Sequence, residues 1–239
     1  MTYTPPNWPP APGELLVRQG RIGIVVAHPD DECLGAGATL ARLVMEGHTV
    51  EVLILATGCA REKEDIKATW AKEKQTYAAL EVLGIRDIKF GRLPDQMLDT
   101  VPLLRINGII EWWLDMAQPT LLFTHHAGDP NLDHRIVAQA ARMATRPTPG
   151  QTVREVRSFS VPSSTEWSFQ CGPRFEANIF VDVSATLDKK LAALASYVGE
   201  MPPYPHPRSP EAIRHAAGYW GSVAGCGCAE AFQLVRALL

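Results

Sequence analysis

Short apolar runs alternate with longer amphipathic stretches over the first part of the chain. The runs at 21–27 and 49–56 are almost continuously apolar, which is typical of strands buried on both faces of a parallel sheet. The predicted strands are 21–27, 49–56, 87–90 and 120–124, and the predicted helices are 34–46, 62–83, 101–116 and 134–145. This alternation predicts an α/β fold: a Rossmann-like, mostly parallel sheet with helices on both faces, in a single domain.

The rest of the chain has a less regular pattern. Predicted here are strands at 153–161 and 179–183, helices at 185–197 and 211–224, a proline-rich loop at 201–210 and a final edge strand at 232–235. Residues 1–20 form a proline-rich N-terminal arm, with five prolines among the first twelve residues. We therefore expect one domain over residues 21–239, preceded by this arm.

The composition is that of a folded globular protein, because 46% of the 239 residues are hydrophobic and 21% are charged. Lys and Arg total 23 against 26 Asp and Glu, so the net charge is −3 and predicts no nucleic-acid partner. No apolar stretch is long enough to span a bilayer, and the N-terminus lacks the segments of a secretory signal. Five cysteines cannot all pair within one chain, which favours reduced thiols and a cytoplasmic protein.

Polar side chains follow two of the predicted strands, at the points where the chain turns into a helix. The first strand is followed by His28-Pro-Asp-Asp-Glu32, and the fourth by His125-His-Ala-Gly-Asp-Pro-Asn-Leu-Asp-His-Arg135. In open parallel sheets, ligands bind outside the carboxyl ends of the strands. We therefore expect the two clusters to contribute to one site.

These residue types suit a catalytic divalent metal ion. Zinc takes imidazole nitrogen and carboxylate oxygen, with three protein ligands and one position for water. His28 and Asp31 lie three apart on a tight turn and can converge on one ion, which a residue from the second cluster completes. Asp30 lies between them and is placed to accept a proton from the water. Alternatively, Asp30, Asp31 and Asp129 only cap helices, but the occurrence of both clusters at strand ends favours the metal site.

The segments Ala27-His-Pro-Asp-Asp-Glu32 and Asp129-Pro-Asn-Leu-Asp-His-Arg135 resemble motifs of the PIG-L/LmbE-like family of zinc-dependent N-deacetylases. Segments 161–167 and 205–209 also resemble parts of bacterial members. The resemblance thus runs from about Ile22 to the C-terminus.

The resemblance implies a role for each residue of the two clusters. His28, Asp31 and His134 would bind Zn²⁺, although Fe²⁺ or Co²⁺ could replace it in such a site. Asp30 would be the general base for the attacking water and then the proton donor to the leaving amine. Asp133 would orient a neighbouring side chain. The implied reaction removes the N-acetyl group from an amino sugar of the N-acetylglucosamine type, free or conjugated.

One position departs from the family pattern. Many members carry a histidine three residues before the last metal ligand, which is proposed to help stabilise the oxyanion, and here that residue is Asn131. An amide can donate a hydrogen bond but has neither a titrating proton nor a positive charge. Oxyanion stabilisation would therefore fall to Asn131 with the metal, or to another histidine such as His126.

Four residues are candidates for substrate binding. Arg61 follows the second strand and could bind a sugar hydroxyl or phosphate, with a solvated loop arginine as the alternative. Trp167 follows a Ser/Thr loop and could stack on a sugar ring. His206, or Arg208 in the same loop, could line the pocket or that of a neighbouring subunit, and His126 is the fourth candidate. We expect a small-molecule partner, an N-acetylated sugar or sugar conjugate, and the resemblance leaves a homo-oligomer open.

Other functions compete with this interpretation. One is an amidase or deacetylase of a thiol–sugar conjugate, since the family includes both. Another is a non-catalytic metal-binding module, although a purely structural site would use a closed set of four ligands. A dinucleotide-dependent oxidoreductase is the third, because Gly35-Ala-Gly37 opens a helix after a strand. That segment lacks a third glycine in register, so close helix–strand packing is the favoured interpretation.

Overall fold

Strands and helices alternate along the first part of the chain in the order that the apolar pattern predicts. The computed structural model describes residues 20–59, 66–169 and 172–238. The strands are β1 (Arg21–Val26), β2 (Thr49–Ala56), β3 (Asp87–Leu93), β4 (Leu121–His125), β5 (Glu155–Phe159), β6 (Ile179–Asp182) and β7 (Ala229–Ala237). The helices are α1 (Asp31–Met45), α2 (Ile66–Leu83), α3 (Leu103–Ala117), α4 (Leu132–Ala144), α5 (Leu187–Leu194) and α6 (Pro210–Ala224).

The strands of the described residues form one seven-stranded sheet in the order β3-β2-β1-β4-β5-β7-β6. The first five of these run parallel, and β7 is antiparallel to both of its neighbours. The predicted α/β fold with a mostly parallel sheet is therefore confirmed. The strand order reverses between β1 and β4, because the chain first builds one side of the sheet and then the other. The crevice outside the carboxyl ends of the strands at such a switch point is the usual ligand site of these folds.

Apolar side chains cover both faces of the sheet. In β1, Ile24 packs into the cluster beneath α1, α2, α5 and α6, whereas its neighbour Val25 packs into the cluster beneath α3 and α4. Consecutive side chains of a strand point to opposite faces. A strand that is buried on both faces must therefore be apolar at nearly every position, which explains the continuous runs at 21–27 and 49–56.

The prediction of an edge strand at 232–235 is wrong. That segment belongs to β7, which lies between β5 and β6, so the edges of the described sheet are β3 and β6. Glu230 makes the beginning of β7 polar in the sequence, but its carboxylate is buried and lies 2.6 Å from the ammonium group of Lys190 on α5. Because this charge is neutralised by a residue distant in sequence, the apolar pattern alone does not identify β7 as an internal strand.

Gly35 allows close packing of α1 on the sheet. A Cβ atom built on this glycine would lie 2.2 Å from the ring of Phe159 in β5. Close helix–strand contact therefore explains this glycine, and a phosphate-binding loop does not. This is the interpretation that the sequence analysis favours.

The predicted N-terminal arm cannot be compared with the fold, because residues 1–19 lie outside the described residues. The domain boundary at residues 20 and 21 therefore stays a prediction. Within the described ranges, no helix is both long enough and apolar enough to cross a membrane.

Candidate active site

The turn between β1 and α1 places His28, Asp30 and Asp31 at the carboxyl end of β1. The amide of Asp31 donates to the carbonyl of His28 at 3.3 Å, and Asp31 Oδ2 accepts from the amide of His28 at 2.9 Å. These two bonds close the turn, so that the side chain of His28 in the turn and that of Asp31, the first residue of α1, converge. Asp30 between them has a φ of 101°, in the left-handed region. All three residues are buried.

The turn between β4 and α4 brings the second polar cluster to the same edge of the sheet. Asn131 is the N-cap of α4, and its side chain accepts from the amide of Asp133 at 2.9 Å. This cap sets Asp133 and His134 in the first turn of the helix. Because β4 is the parallel neighbour of β1, the two turns lie side by side. The structure therefore brings the two clusters together.

Three side-chain atoms form a nearly equilateral triangle between these turns. His28 Nδ1 lies 3.3 Å from Asp31 Oδ2 and 3.3 Å from His134 Nε2, and the remaining edge, from His134 Nε2 to Asp31 Oδ2, measures 3.4 Å. Ligand atoms bound tetrahedrally to one zinc ion, at about 2.0–2.1 Å, lie about 3.3 Å from one another. The donor types and their separations therefore fit one divalent metal ion.

Carboxylates surround the other ring nitrogen of each histidine. His28 Nε2 lies 3.1 Å from Asp95 Oδ1 and 3.1 Å from Asp133 Oδ2. His134 Nδ1 lies 3.2 Å from Asp129 Oδ1. Metal-binding histidines commonly direct their second nitrogen at a carboxylate, which sets the tautomer and the orientation of the ring. The carboxylates thus leave the remaining nitrogen of each ring facing the centre of the triangle.

The site concentrates negative charge around these two rings. Burial opposes protonation of His28, but the neighbouring carboxylates of Asp133 and Asp31 raise its pKa to about 10. Burial likewise opposes protonation of His134, but the carboxylates of Asp31 and Asp129 raise its pKa to about 9. Carboxylates that favour a protonated ring also favour a metal cation in its place. The electrostatics of the site are therefore those of a cation-binding site.

His125 is a neutral neighbour of the triangle. Its Nε2 accepts from the amide of Ala27 at 2.9 Å, and its ring stacks on that of His134 with centroids 4.0 Å apart. Burial and the nearby charge of His134 lower the pKa of His125 to about 3. His125 therefore supports the ring of His134 and the end of β1.

Asp30 lies beside the triangle in a polar cavity of about 250 Å³. Arg208 Nη1 donates to Asp30 Oδ2 at 2.8 Å. Burial raises the pKa of Asp30 to about 8, and the guanidinium of Arg208 acts in the opposite direction. A carboxylate in this position can accept a proton from a water molecule in the same cavity. The residues lining the cavity include His28, Asp30, Asp31, Lys72, Asp95, Gln96, Asn131, His134, Ser163, Glu200 and Arg208.

The two predicted oxyanion donors have different surroundings. Asn131 lines the cavity, and its Nδ2 lies 3.3 Å from Gln96 Oε1. His126 is not among the described lining residues, since its Nε2 lies 2.9 Å from the carbonyl oxygen of Pro173. Successive side chains at a strand end point to opposite sides, so of the adjacent histidines only His125 contacts the triangle.

The remaining substrate-binding predictions are only partly addressed by the structure. Trp167 and His206 contact each other edge to face, with ring centroids 6.2 Å apart. Neither belongs to the described residues that line the cavity of the triangle. Arg61 lies outside the described residues. The roles of these three residues in substrate binding stay predictions.

Several residues of the cavity were missed by the sequence analysis. Asp95 and Gln96 follow β3, and the rule about carboxyl ends would have found them if applied to that strand. Arg208 was predicted only as an alternative to His206, and of the two it is Arg208 that lines this cavity. Lys72 and Glu200 carried no signal, since only the fold brings them together as an ion pair.

The fold and the triangle together define an α/β protein with a buried His–Asp–His metal-binding group at the switch point of its sheet. A family model described as PIG-L: GlcNAc-PI de-N-acetylase matches residues 24–145, about half of the chain, and both polar clusters lie within this range. The chain belongs to this family and is accordingly a hydrolase that acts on an amide bond. The family resemblance predicted from the two motifs is confirmed.

Curated relatives of the chain have deacetylase names. The uncharacterized deacetylase YaiS of Escherichia coli is 27% identical over 146 residues, which cover 58% of this chain and 72% of that protein. The 1D-myo-inositol 2-acetamido-2-deoxy-alpha-D-glucopyranoside deacetylase of Kineococcus radiotolerans is 32% identical over 60% of this chain. That of Streptomyces scabiei is 32% identical over 59% of this chain. The matches span only 38% and 54% of these two longer relatives.

Solved structures share the fold over most of the chain. The conserved protein TT1542 from Thermus thermophilus has a TM-score of 0.74 at 26% identity, covering 92% of this chain and 96% of that one. N,N'-diacetylchitobiose deacetylase from Pyrococcus horikoshii has a TM-score of 0.72 at 18% identity, covering 91% and 84%. GalB, the 4-carboxy-2-hydroxymuconate hydratase from Pseudomonas putida, has a TM-score of 0.67 at 22% identity, covering 92% and 98%. The last two show the fold alone, and their different reactions mean that the fold does not decide the substrate.

Proposed function

We propose that this enzyme removes the N-acetyl group from an amino sugar of the N-acetylglucosamine type, free or conjugated, and releases acetate and an amine. The observation that carries the proposal is the triangle of His28, Asp31 and His134 with the carboxylate of Asp30 beside it in one cavity. The names of relatives support it, because they include deacetylases of an inositol-linked 2-acetamido sugar.

The proposed metal is Zn²⁺, and Fe²⁺ or Co²⁺ are alternatives because the affinities of divalent ions for such ligands overlap. His28, Asp31 and His134 would hold the ion, and three protein ligands are the usual number in a catalytic zinc site. When bound, the ion supplies Lewis acidity to the amide carbonyl and to the attacking water. Asp133 and Asp129 keep the two imidazole rings in the orientation that this requires.

Asp30 is the general base of the proposed reaction. Its carboxylate accepts a proton from the water that attacks the amide carbon, and later donates this proton to the departing nitrogen. The C–N bond breaks, the acetyl group keeps the water oxygen as acetate, and the sugar leaves as an amine. Asp31 is not available for this task, because its Oδ2 belongs to the triangle and accepts from the amide of His28.

Asn131 is the proposed donor to the oxyanion. Its Oδ1 accepts from the amide of Asp133, and this bond leaves Nδ2 in the cavity, 3.3 Å from Gln96 Oε1. A contact of that length is weak, so a substrate oxygen can replace it. His126, the alternative, already has a partner in the carbonyl of Pro173 at 2.9 Å.

The test is acetate release from a panel of N-acetylhexosamine compounds in free, nucleotide-linked, inositol-linked and thiol-linked forms. The protein is stripped of metal, assayed, and assayed again after reloading with zinc, iron(II) or cobalt. Metal-dependent release of acetate from one class of compound would support the proposal and identify the branch of substrate. Release of the sugar amine without acetate, from a cysteinyl amide on a thiol–sugar conjugate only, would favour the amidase alternative.

A negative result would also be informative. Stoichiometric zinc binding without release from any form would contradict an N-acetyl sugar deacetylase and favour a non-catalytic metal-binding module. Release that does not depend on metal would contradict the role given to the triangle.

A further inference from the structure

Asp30 has a backbone conformation that an aspartate does not adopt without support. Its φ is 101° and its ψ is −26°, and it is followed directly by the first residue of α1. A left-handed conformation away from the usual αL minimum is strained for any residue with a Cβ atom. Such a conformation persists only where surrounding groups hold it. The carbonyl oxygen of Asp30 accepts the first helical bond of α1, from the amide of Leu34 at 2.8 Å. Two further contacts hold the residue, one at its amide and one at its carboxylate.

The first contact holds the amide of Asp30. This amide donates to Glu32 Oε2 at 3.1 Å. The other oxygen of Glu32 accepts from the hydroxyl of Tyr197 at 2.5 Å. Both Glu32 and Tyr197 are buried, so the chain of bonds is protected from water. The thiol of Cys33 donates to the same oxygen at 3.1 Å, but the Tyr197 hydroxyl is the shorter and stronger donor. The Tyr197 hydroxyl thus helps to fix the carboxylate of Glu32, and this carboxylate holds the backbone of Asp30.

The second contact holds the carboxylate of Asp30. Arg208 Nη1 donates to Asp30 Oδ2 at 2.8 Å, and Arg208 Nε donates to Ser163 Oγ at 2.7 Å. The planar guanidinium group is therefore attached at two points, which restricts its rotation. A carboxylate of Glu200 lies 3.8 Å from the same Nη1 atom. Arg208 thus gives the carboxylate of Asp30 one defined direction in the cavity.

Each contact depends on one residue outside the segment that carries the metal ligands. Tyr197 follows α5 and Arg208 precedes α6, whereas the family model matches only residues 24–145. We propose that Tyr197 and Arg208 are positioning residues that hold the base Asp30 from its two ends. This inference rests on the proposed function, because it assigns to these residues the geometry of its general base.

The experiment compares two variants with two matched controls. Tyr197→Phe removes one hydroxyl, and Tyr219→Phe removes a hydroxyl from an exposed tyrosine of α6. Arg208→Ala removes the guanidinium, and Arg214→Ala removes that of an exposed arginine paired with Asp188. Crystal structures give the φ of Asp30 and the direction of its carboxylate, and metal analysis gives the metal content per chain. Acetate release gives kcat and KM on whichever panel compound the wild type cleaves.

We expect Asp30 to change its backbone or carboxylate position in both variants and in neither control, with the metal content unchanged. We expect kcat to fall by about 10- to 100-fold while KM changes little, because a misplaced base slows the chemical step rather than binding. Added guanidinium ion should restore part of the kcat of Arg208→Ala, whereas it should not affect Arg214→Ala. A merely structural role of Arg208 would give no such rescue.

An unchanged Asp30 in both variant structures would overturn the proposal, whatever the activities are. A displaced Asp30 with unchanged kcat would overturn it as well, and would also remove Asp30 as the base. If the wild type cleaves no compound of the panel, the proposed function fails. The crystal structures then still decide whether Tyr197 and Arg208 position Asp30.

Discussion

Two buried charged clusters contact helix α1, and their charges are balanced in different ways. Against the middle of the helix, Glu230 accepts from the amides of Ala38 and Thr39 at 3.2 and 2.7 Å. Lys190 donates to Glu230 at 2.6 Å and to the carbonyl of Leu34 at 2.8 Å. This cluster contains one positive and one negative charge, and its hydrogen bonds are supplied by the chain itself.

The cluster at the start of α1 is different. It combines His28 and His134 with the carboxylates of Asp31, Asp129 and Asp133, and it opens into a cavity. Its carboxylates outnumber the groups that can carry a positive charge nearby. The comparison teaches that a buried charge with a complete set of internal partners stabilises the fold, whereas a surplus of one sign facing a cavity indicates a bound ion.

The largest effect should come from removing a ligand of the metal cluster. His134→Ala removes one corner of the triangle, so we expect metal binding to be lost and turnover to fall on the order of 10⁴-fold. Metal per chain is measured by plasma mass spectrometry, and turnover by acetate release. His215→Ala, at a surface histidine of α6, is the control and should change neither. Full metal content in His134→Ala would show that the triangle is not the metal site.

Removing the base should separate metal binding from chemistry. Asp30→Asn keeps the size of the side chain but cannot accept the proton, so we expect turnover to fall by about 10²- to 10⁴-fold. Metal content should stay that of the wild type, because Asp30 is not part of the triangle. Asp188→Asn on the surface of α5 serves as the control. Turnover equal to the wild type would exclude Asp30 as the general base.

Breaking the ion pair that lies against the middle of α1 should lower the stability of the protein. Lys190→Met leaves the carboxylate of Glu230 buried without its cation, so we expect the free energy of unfolding to fall by about 3–5 kcal/mol. Lys189→Met changes the exposed neighbour on the same helix and should stay within about 0.5 kcal/mol of the wild type. Urea denaturation measures both. If the two variants are equally stable, Lys190 and Glu230 do not have the structural role assigned here.

The smallest effect should be stabilisation by added metal. At a free zinc concentration of about 100 times Kd, binding should raise the free energy of unfolding by about 2.7 kcal/mol. The gain should be similar in the wild type and in Lys190→Met, because the Lys190–Glu230 ion pair is not part of the metal triangle, and it should be absent in His134→Ala. Thermal denaturation with and without zinc measures it. A gain retained in His134→Ala would place the stabilising ion elsewhere.

The hydrophobic pattern was sufficient to predict the strands of the parallel part of the sheet. Strands β1, β2 and β4 are buried at nearly every position, so their apolar runs do not depend on which strands become their neighbours. The position of β7 could not be predicted in this way. Whether a terminal strand lies at an edge depends on pairing with β5 and β6, and the buried charge of Glu230 obscured the pattern.

The sequence by itself determined the fold class, and it placed two polar clusters at one edge of the sheet. His28 and Asp31 are neighbours on one short turn, and the second cluster follows a strand whose carboxyl end must lie at the same edge, so local chemistry and one rule of topology predicted a shared site. The choice of His134 within the second cluster came from the family resemblance and stays a prediction. Only the tertiary structure decided which groups hold Asp30, and that Asn131 rather than His126 lines the cavity. Tyr197 and Arg208 reach the site across more than 160 residues of chain. Contacts at such separations arise from the packing of whole elements, which no local pattern encodes.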